Sequence, residues 1–257
     1  MRVDEAVERL WPGQPVEVEP LGGGITNHNF RVAVDGELLV LRIGGKDTSL
    51  LGIDREREHE AALMAARLGI SPEVVRFTDG LLVTRFVEGE VGRADPATVG
   101  ELLKRLHGAP PIAGSFDSFR VVEAYASLAT ERGRPLPAGY ERAHELAGQI
   151  EVLRAQAPRL TCHNDLLAAN FIDDGERVWI VDWEYAAMGD PFFDLANFAV
   201  NNGLDEDGEG ELLEAYGSTD VRALTLMRFM SDFREAMWGV VQQAISELDF
   251  DFVAYTD

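Results

Sequence analysis

Alternating apolar and β-branched runs fill the first third of the chain, and helical spacing dominates the rest. A short helix is predicted over residues 4–11. Residues 16–21, 30–34 and 38–43 read as strands, divided by the turn signals Gly22-Gly23-Gly24 and Asp35-Gly36. Residues 54–68 read as a charged, alanine-rich helix whose apolar positions include Ala61, Leu63, Met64 and Leu68; Gly69 stops it and Pro72 lies beyond. Residues 73–77 and 81–86 predict a hairpin across Thr78-Asp79-Gly80. From Asp95 the pattern changes. Asp95-Pro96 is a helix start, and Val99, Leu102, Leu103 and Leu106 repeat at helical spacing. Further helices are predicted over 121–131 and 138–155, then a short strand pair near 170–182, then helices to the end. The acidic stretch 205–211 reads as a solvated loop or a helix start. The expectation is an α+β chain: about 86 strand-rich residues with one long helix, then a mainly helical part, with no internal repeat or low-complexity tract.

Composition narrows the function classes. The 257 residues (28.3 kDa) are 46% hydrophobic and 26% charged, which excludes a disordered chain and suffices for one large domain or two small lobes. No run of about 18 apolar residues is present, so no membrane span is expected. The opening MRVDEAVERLW carries acids and lacks an apolar segment, so no secretory signal is expected. The single cysteine, Cys162, rules out an internal disulfide and fits a cytoplasmic location. The net charge is −22, from 45 acids against 23 bases. The basic spots Arg55/Arg57 and Arg132/Arg134 are diluted by acids, which excludes nucleic-acid binding as the main role. The acidity reads as a solvated surface and also permits a cationic substrate.

The strongest chemical signal is His163-Asn164-Asp165-Leu166-Leu167-Ala168-Ala169-Asn170, followed by Val178-Trp179-Ile180-Val181-Asp182-Trp183-Glu184. Phosphoryl transfer from ATP needs a carboxylate at the accepting hydroxyl and oxygen ligands for Mg²⁺. Asp165 and Asn170 stand five apart, and Asp182 ends an apolar strand 12 residues after Asn170, the order and spacing of a kinase catalytic loop and metal-binding strand. Asn and Asp also populate plain turns; the joint spacing favours chemistry. His163 reads as a structural brace of the loop. Gly22–Gly24 can present backbone N–H groups to phosphate or form a plain hairpin turn. Arg42 lies in an apolar strand, either as a phosphate or carboxylate fork or as an edge-strand arginine facing water.

HNDLLAAN with VDWEYAAMGDPFFDLAN resembles the choline/ethanolamine kinase branch of the aminoglycoside phosphotransferase-like kinases. GGGITNHNFRV, LLVLRIGG, REREHEAALMAARLGISPEVV and MWGVVQQAISELDFDFVAY extend the resemblance over about nine tenths of the chain, with residues 110–160 matching least. It implies a bilobal protein-kinase-like fold. Residues 1–87 would form an ATP-binding lobe with an antiparallel sheet and one long helix. Residues 88–257 would form a helical lobe carrying the catalytic loop and acceptor pocket. It further implies Asp165 as catalytic base, Asn170 and Asp182 as Mg²⁺ ligands, and Asp194 as a brace for the loop. Gly23, Gly24, Thr26 and Asn27 would lie at the nucleotide. Arg42 would contact phosphates and pair with a helix acid, best Glu58, with Glu56 and Glu60 as alternatives.

The acceptor implied is a small amino alcohol. A quaternary ammonium is recognised by aromatic faces, and Tyr185, Trp238 and Tyr255 match the family's choline pocket. Glu235 stands where the family often has a second tryptophan; it pairs with a cationic head group, pairs with Arg234 or Arg228, or faces solvent. Two further readings stay open: an aminoglycoside or other small-molecule kinase on the same scaffold, and a catalytically silent ligand-binding module. The sequence leaves the oligomeric state open.

Overall fold

In a computed structural model of the chain, which describes residues 1–22, 27–45, 48–92 and 94–245, every strand and helix expected before residue 87 is present. Helix α1 (Val3–Leu10) precedes β1 (Glu17–Leu21), β2 (Asn27–Val34) and β3 (Glu37–Gly44); α2 (Arg55–Arg67), β4 (Val74–Thr78), β5 (Leu81–Arg85) and the short β6 (Glu90–Val91) follow. Then come α3 (Pro96–His107), α4 (Ser118–Glu131), α5 (Tyr140–Arg154), β7 (Leu160–Cys162), β8 (Phe171–Asp173), β9 (Val178–Ile180), β10 (Ala187–Gly189), α6 (Pro191–Asn201), α7 (Glu206–Tyr216) and α8 (Val221–Ile245).

Local chemistry accounts for most of the boundaries. Asp54, Asp95, Asp117, Asp190 and Asp205 each cap a helix, their carboxylates accepting backbone N–H groups of the first turn. Asp117 explains why α4 starts at Ser118, three residues before the expected position. Asp205 settles the acidic stretch as a helix start, with Glu206, Asp207 and Glu209 in the first turn, where the helix dipole favours acids. The hairpin turns Asp35-Gly36 and Asp79-Gly80 both hold two consecutive positive φ values (51° and 78°, 51° and 77°), the geometry that matches the twist of the flanking strands.

The chain divides into two compact units, residues 1–93 with 169–185, and residues 94–168 with 186–257. The first holds an antiparallel sheet in the order β1-β2-β3-β5-β4. Strand β3 is central, and its alternation splits two environments. Leu39, Leu41 and Ile43 pack with Val32, Val34, Leu81 and Val83 against Ala6, Leu10 and Trp11 of the α1 segment. Arg42 points to the opposite face, towards α2. Buried at 9% exposure in the central strand, it is not an edge residue facing water. A second small sheet, β6-β8-β9, belongs to the same unit. It is joined there by the Ile180 N–H donating to the Ile70 carbonyl (2.8 Å) and Trp183 Nε1–H to Ser71 Oγ (3.1 Å).

In the second unit α6 and α4 pack on α8, and α3 packs on α7. The pair β7–β10 was not legible in the sequence: three residues a side fall below the length at which alternation shows. Among the described residues no helix is long and apolar enough to cross a membrane.

Candidate active site

The first unit gathers a buried polar network around Arg42. Its guanidinium pairs with Glu58 of α2, lies 2.7 Å from Asp182 Oδ1 through Nη2, and donates from Nε to Asn29 Oδ1 at 3.4 Å. Of the three acids weighed for this role, Glu58 is the one Arg42 meets. It is 2% exposed, whereas Glu56 and Glu60 lie on more open faces of α2. Arg55, the first residue of α2, adds a second cation: Nη1 lies 2.6 Å from Glu58 Oε2 and 3.2 Å from Glu184 Oε2, and Nη2 donates to Asn27 Oδ1 at 2.8 Å. Asn27 in turn donates from Nδ2 to Glu184 Oε2 at 2.8 Å. Burial draws the Arg55 guanidinium below the usual arginine value, and Glu184 beside it works the other way. Two guanidinium groups thus face three carboxylates, so losing either guanidinium leaves buried carboxylate charge uncompensated, a cost of about 3–5 kcal/mol.

Asn170 and Asp182 are tied through the backbone: the N–H of Val181 donates to the Asn170 carbonyl at 3.0 Å. Asp182 follows at φ 68°, a left-handed conformation uncommon outside glycine, which turns its carboxylate off the line of β9. Its Oδ1 contact with Arg42 lacks hydrogen-bond alignment. A cavity of about 300 Å³ adjoins this network, walled by apolar residues such as Leu21, Val40, Leu82, Phe86, Ile172 and Val181, with Asn29, Arg42 and Asp182 among its polar members. An apolar slot with charged groups on its lining suits a heterocycle carrying phosphates.

The second unit fixes the loop after β7. Asp194 of α6, fully buried, accepts the backbone N–H of His163 (2.8 Å) at Oδ2 and that of Asn164 (2.7 Å) at Oδ1. Asn164 takes φ 66°, and Gly189 gives it room, since a Cβ there would sit 2.8 Å from Asn164 Oδ1. His163 Nδ1 accepts the N–H of Asp165 (3.2 Å), and Asn197 Oδ1 accepts that of Leu166. Behind Asp194 stands His107, with Nε2 3.1 Å from Oδ2 and Nδ1 2.9 Å from the Tyr216 hydroxyl. Burial pushes the Tyr216 phenol up to about 12, so the hydroxyl beside Nδ1 stays neutral. Asp165, held at 7% exposure, meets Arg234 of α8: Arg234 Nη1 donates to Asp165 Oδ1 at 3.0 Å and to Glu235 Oε2 at 2.9 Å. Arg228 pairs instead with Glu209. Trp238, one turn on from Arg234, is 6% exposed.

The model of a family described as "Phosphotransferase enzyme family" matches residues 17–230. A solved choline/ethanolamine kinase family protein from Mesorhizobium loti is 33% identical, with 100% of this chain and 92% of that one covered and a TM-score of 0.84. This chain belongs to the choline/ethanolamine kinase family of phosphotransferases. Its α+β architecture is the protein-kinase-like fold. Among curated relatives, Protein LicA of Haemophilus influenzae is 27% identical over 209 residues, covering 76% of this chain but 61% of LicA, less than two thirds of that protein's length. Ethanolamine kinase 2 of Mus musculus is 24% identical over 310 residues, covering 99% of this chain and 77% of that one.

Within this phosphotransferase, the structure brings Arg42, Glu58, Asn27 and Asp182 into one network, with Asn170 joined to it by backbone. In the second unit it brings His163, Asp165 and Asp194 together, with Glu235 linked through Arg234. Tyr185 lies buried in the first unit and Trp238 in the second. Gly23, Gly24, Thr26 and Tyr255 lie outside the described residues. Sequence reasoning missed Arg55, Glu184, His107, Asn197 and the pairing of Arg234 with Asp165. A signal for Arg234 was present: it falls at helical spacing with Met227, Met230, Met237 and Val241, a charged residue in a buried stripe.

Cys162, fully buried at the end of β7, gives a direct check on this packing. His107, Cys162 and Asp194 bring donor atoms within 4.8 Å of one another. Asp194 is already taken by two backbone N–H groups and His107, so the group braces the loop rather than offering a metal site. Burial, then the carboxylates of Asp194 and Asp190, push the Cys162 thiol well above its usual range. The native protein at pH 8 is therefore expected to resist a thiol reagent that labels the urea-unfolded chain within minutes. With the folded value raised, the unfolded chain releases its thiol proton first, so stability is expected to fall as pH rises past about 8.5. A Cys162→Ala chain that keeps the same alkaline slope in urea titrations would remove Cys162 as its source.

Proposed function

We propose that this chain transfers the γ-phosphoryl group of ATP to the hydroxyl of a small amino alcohol, choline or ethanolamine. The observation that carries the reading is the buried Asp165, set in a loop whose backbone is fixed by Asp194 and Asn197, in a chain of the choline/ethanolamine kinase family. Such rigidity suits a carboxylate that must meet one hydroxyl in one orientation. Asp165 orients the acceptor hydroxyl and takes its proton at a carboxylate oxygen as the new P–O bond forms and the bond from the γ-phosphorus to the bridging oxygen breaks, that oxygen leaving on ADP.

Residues 1–87 serve as the ATP-binding part and 88–257 carry the catalytic loop and the acceptor residues. Arg42 presents its guanidinium to the phosphates, and Glu58 keeps that guanidinium in place; Gly23, Gly24, Thr26 and Asn27 complete the nucleotide contacts. Asn170 and Asp182 would hold Mg²⁺, whose hard-oxygen preference they satisfy, since the buried Asp182 Oδ1 makes no aligned hydrogen bond. The ion, when bound, supplies charge neutralisation at the β- and γ-phosphates. Tyr185, Trp238 and Tyr255 offer aromatic faces to a cationic head group, and Glu235 adds a carboxylate. His163 and Asp194 support the loop and touch no reactant. A cytoplasmic location goes with use of ATP.

The test is ADP release with Mg-ATP against choline, ethanolamine, other small amino alcohols and an aminoglycoside. Turnover stimulated by choline or ethanolamine is the expected result. Turnover with the aminoglycoside alone would keep the phosphotransferase chemistry and replace the acceptor. Nucleotide binding without turnover on any acceptor would overturn the reading in favour of a silent binding module.

A further inference from the structure

Arg234 is the least expected residue in the second unit. It sits on α8 at 2% exposure, among the largest fully buried side chains, in the stripe formed by Met227, Met230, Met237 and Val241. Burying a guanidinium is costly unless charged partners hold it. Both of the carboxylates it meets through Nη1 are informative: Asp165 Oδ1 at 3.0 Å and, on its own helix, Glu235 Oε2 at 2.9 Å. One turn earlier on the same helix face, Ser231 Oγ accepts Asn197 Nδ2–H at 3.0 Å, and Asn197 Oδ1 accepts the N–H of Leu166. Helix α8 therefore grips two consecutive residues of the loop, the backbone of Leu166 through Ser231 and Asn197, and the side chain of Asp165 through Arg234.

We propose that Arg234 is the positioning residue of Asp165: by holding Oδ1 it fixes the rotation of the carboxylate and directs the other oxygen to the acceptor hydroxyl. A carboxylate turns about its Cβ–Cγ bond through a broad, shallow well. Backbone bonds to the loop fix where Asp165 begins but not how its oxygens are turned. A charge-assisted hydrogen bond from a buried, pre-ordered guanidinium narrows that range at Oδ1. Glu235 shares the same Nη1 as a second carboxylate, which keeps Arg234 from binding Asp165 so firmly that its carboxylate is lost as a proton acceptor. The Asp165–Arg234–Glu235 set carries one net negative charge, which suits a cationic acceptor. This inference rests on the phosphotransferase reading above.

The experiment compares Arg234→Met, Arg234→Lys, Asp165→Asn and the double variant Arg234→Met/Asp165→Asn, by steady-state kinetics on the acceptor that wild type turns over best and by urea unfolding. In Arg234→Met, kcat is expected to fall about 10- to 100-fold with KM for ATP within about twofold. Arg234→Lys, which keeps the charge, is expected to recover part of kcat. A residue that merely filled the core would gain nothing from the charge. In unfolding, Arg234→Met is expected to destabilise less in the Asp165→Asn background than in wild type, because the carboxylate it would strand is gone. Additive unfolding effects, or an Arg234→Met enzyme with wild-type kcat, would overturn the proposal. If Arg234→Met does not fold, Arg234→Lys decides alone: kcat equal to wild type counts against the proposal, and a lowered kcat at unchanged KM for ATP supports it. A wild-type chain inactive on every acceptor overturns the functional reading instead, and the unfolding cycle still decides whether Arg234 holds Asp165.

Discussion

Asp165→Asn is expected to abolish phosphoryl transfer while leaving nucleotide binding intact. The substitution keeps the shape of the side chain and an oxygen for Arg234, whose Nη1 lies 3.0 Å from Asp165 Oδ1 in the wild type. It removes the charge that, in the role proposed for Asp165, draws the acceptor proton. Loss of a positioned general base costs about 10²–10⁴ in rate. The buried pair adds to this, since the new amide would turn its nitrogen away from the guanidinium and hold its oxygen there. A drop in kcat of about 10³ or more is therefore expected, with ATP affinity by calorimetry within about twofold of wild type, because the nucleotide contacts proposed here, Arg42, Asn27 and the apolar cavity, belong to other residues. An Asp165→Asn enzyme with a tenth or more of wild-type kcat would remove Asp165 from the chemistry.

Asp194→Ala is expected to produce the largest loss of stability. Asp194 is fully buried and serves three donors: the N–H groups of His163 and Asn164, at 2.8 and 2.7 Å, and His107 Nε2 at 3.1 Å. Each buried donor left without a partner costs about 1–3 kcal/mol. The sum is on the order of 4 kcal/mol or more, a large share of the 5–15 kcal/mol by which a domain is typically stable. For a chain of this size that corresponds to a fall in Tm of about 10 °C or more. Asp194→Asn, which retains one acceptor oxygen, should lose less. Activity is expected to fall beyond what stability alone explains, measured at a temperature where the variant is still folded, because the left-handed turn at Asn164 then loses the carboxylate that holds its N–H. A thermal midpoint within about 2 °C of wild type in circular dichroism would show that the loop is held by something else.

Much of this protein was legible because the signals are local. An aspartate at the start of a helix caps it wherever the rest of the chain lies, as at Asp54 and Asp95, whereas Asp205 left a loop or a helix start open. Asp-Gly pairs dictate their own turns at Asp35-Gly36 and Asp79-Gly80. The spacing of Asp165, Asn170 and Asp182 falls within 18 residues, so a short loop and one strand pair carry the whole pattern. Elements too short for periodicity escaped, β10 among them, since three residues hold a strand only when a partner strand is present.

Partner choice was a different matter. Glu56, Glu58 and Glu60 are neighbours on one charged helix, and only the packing of α2 on the face of β3 opposite Leu41 selects Glu58 for Arg42. Whether Arg42 faced water or the interior depended on strand order, because β3 becomes central only when β5 pairs beside it. Arg234 stands in sequence as a charge within an apolar helical stripe, but its partner is a carboxylate 69 residues away that only the fold brings to it. The sequence by itself determined the turns, the caps, the chemical types at the loop and the family. The tertiary structure alone decided which charges are buried together, because desolvation and pairing energies depend on what the fold brings within a few ångströms, not on separation along the chain.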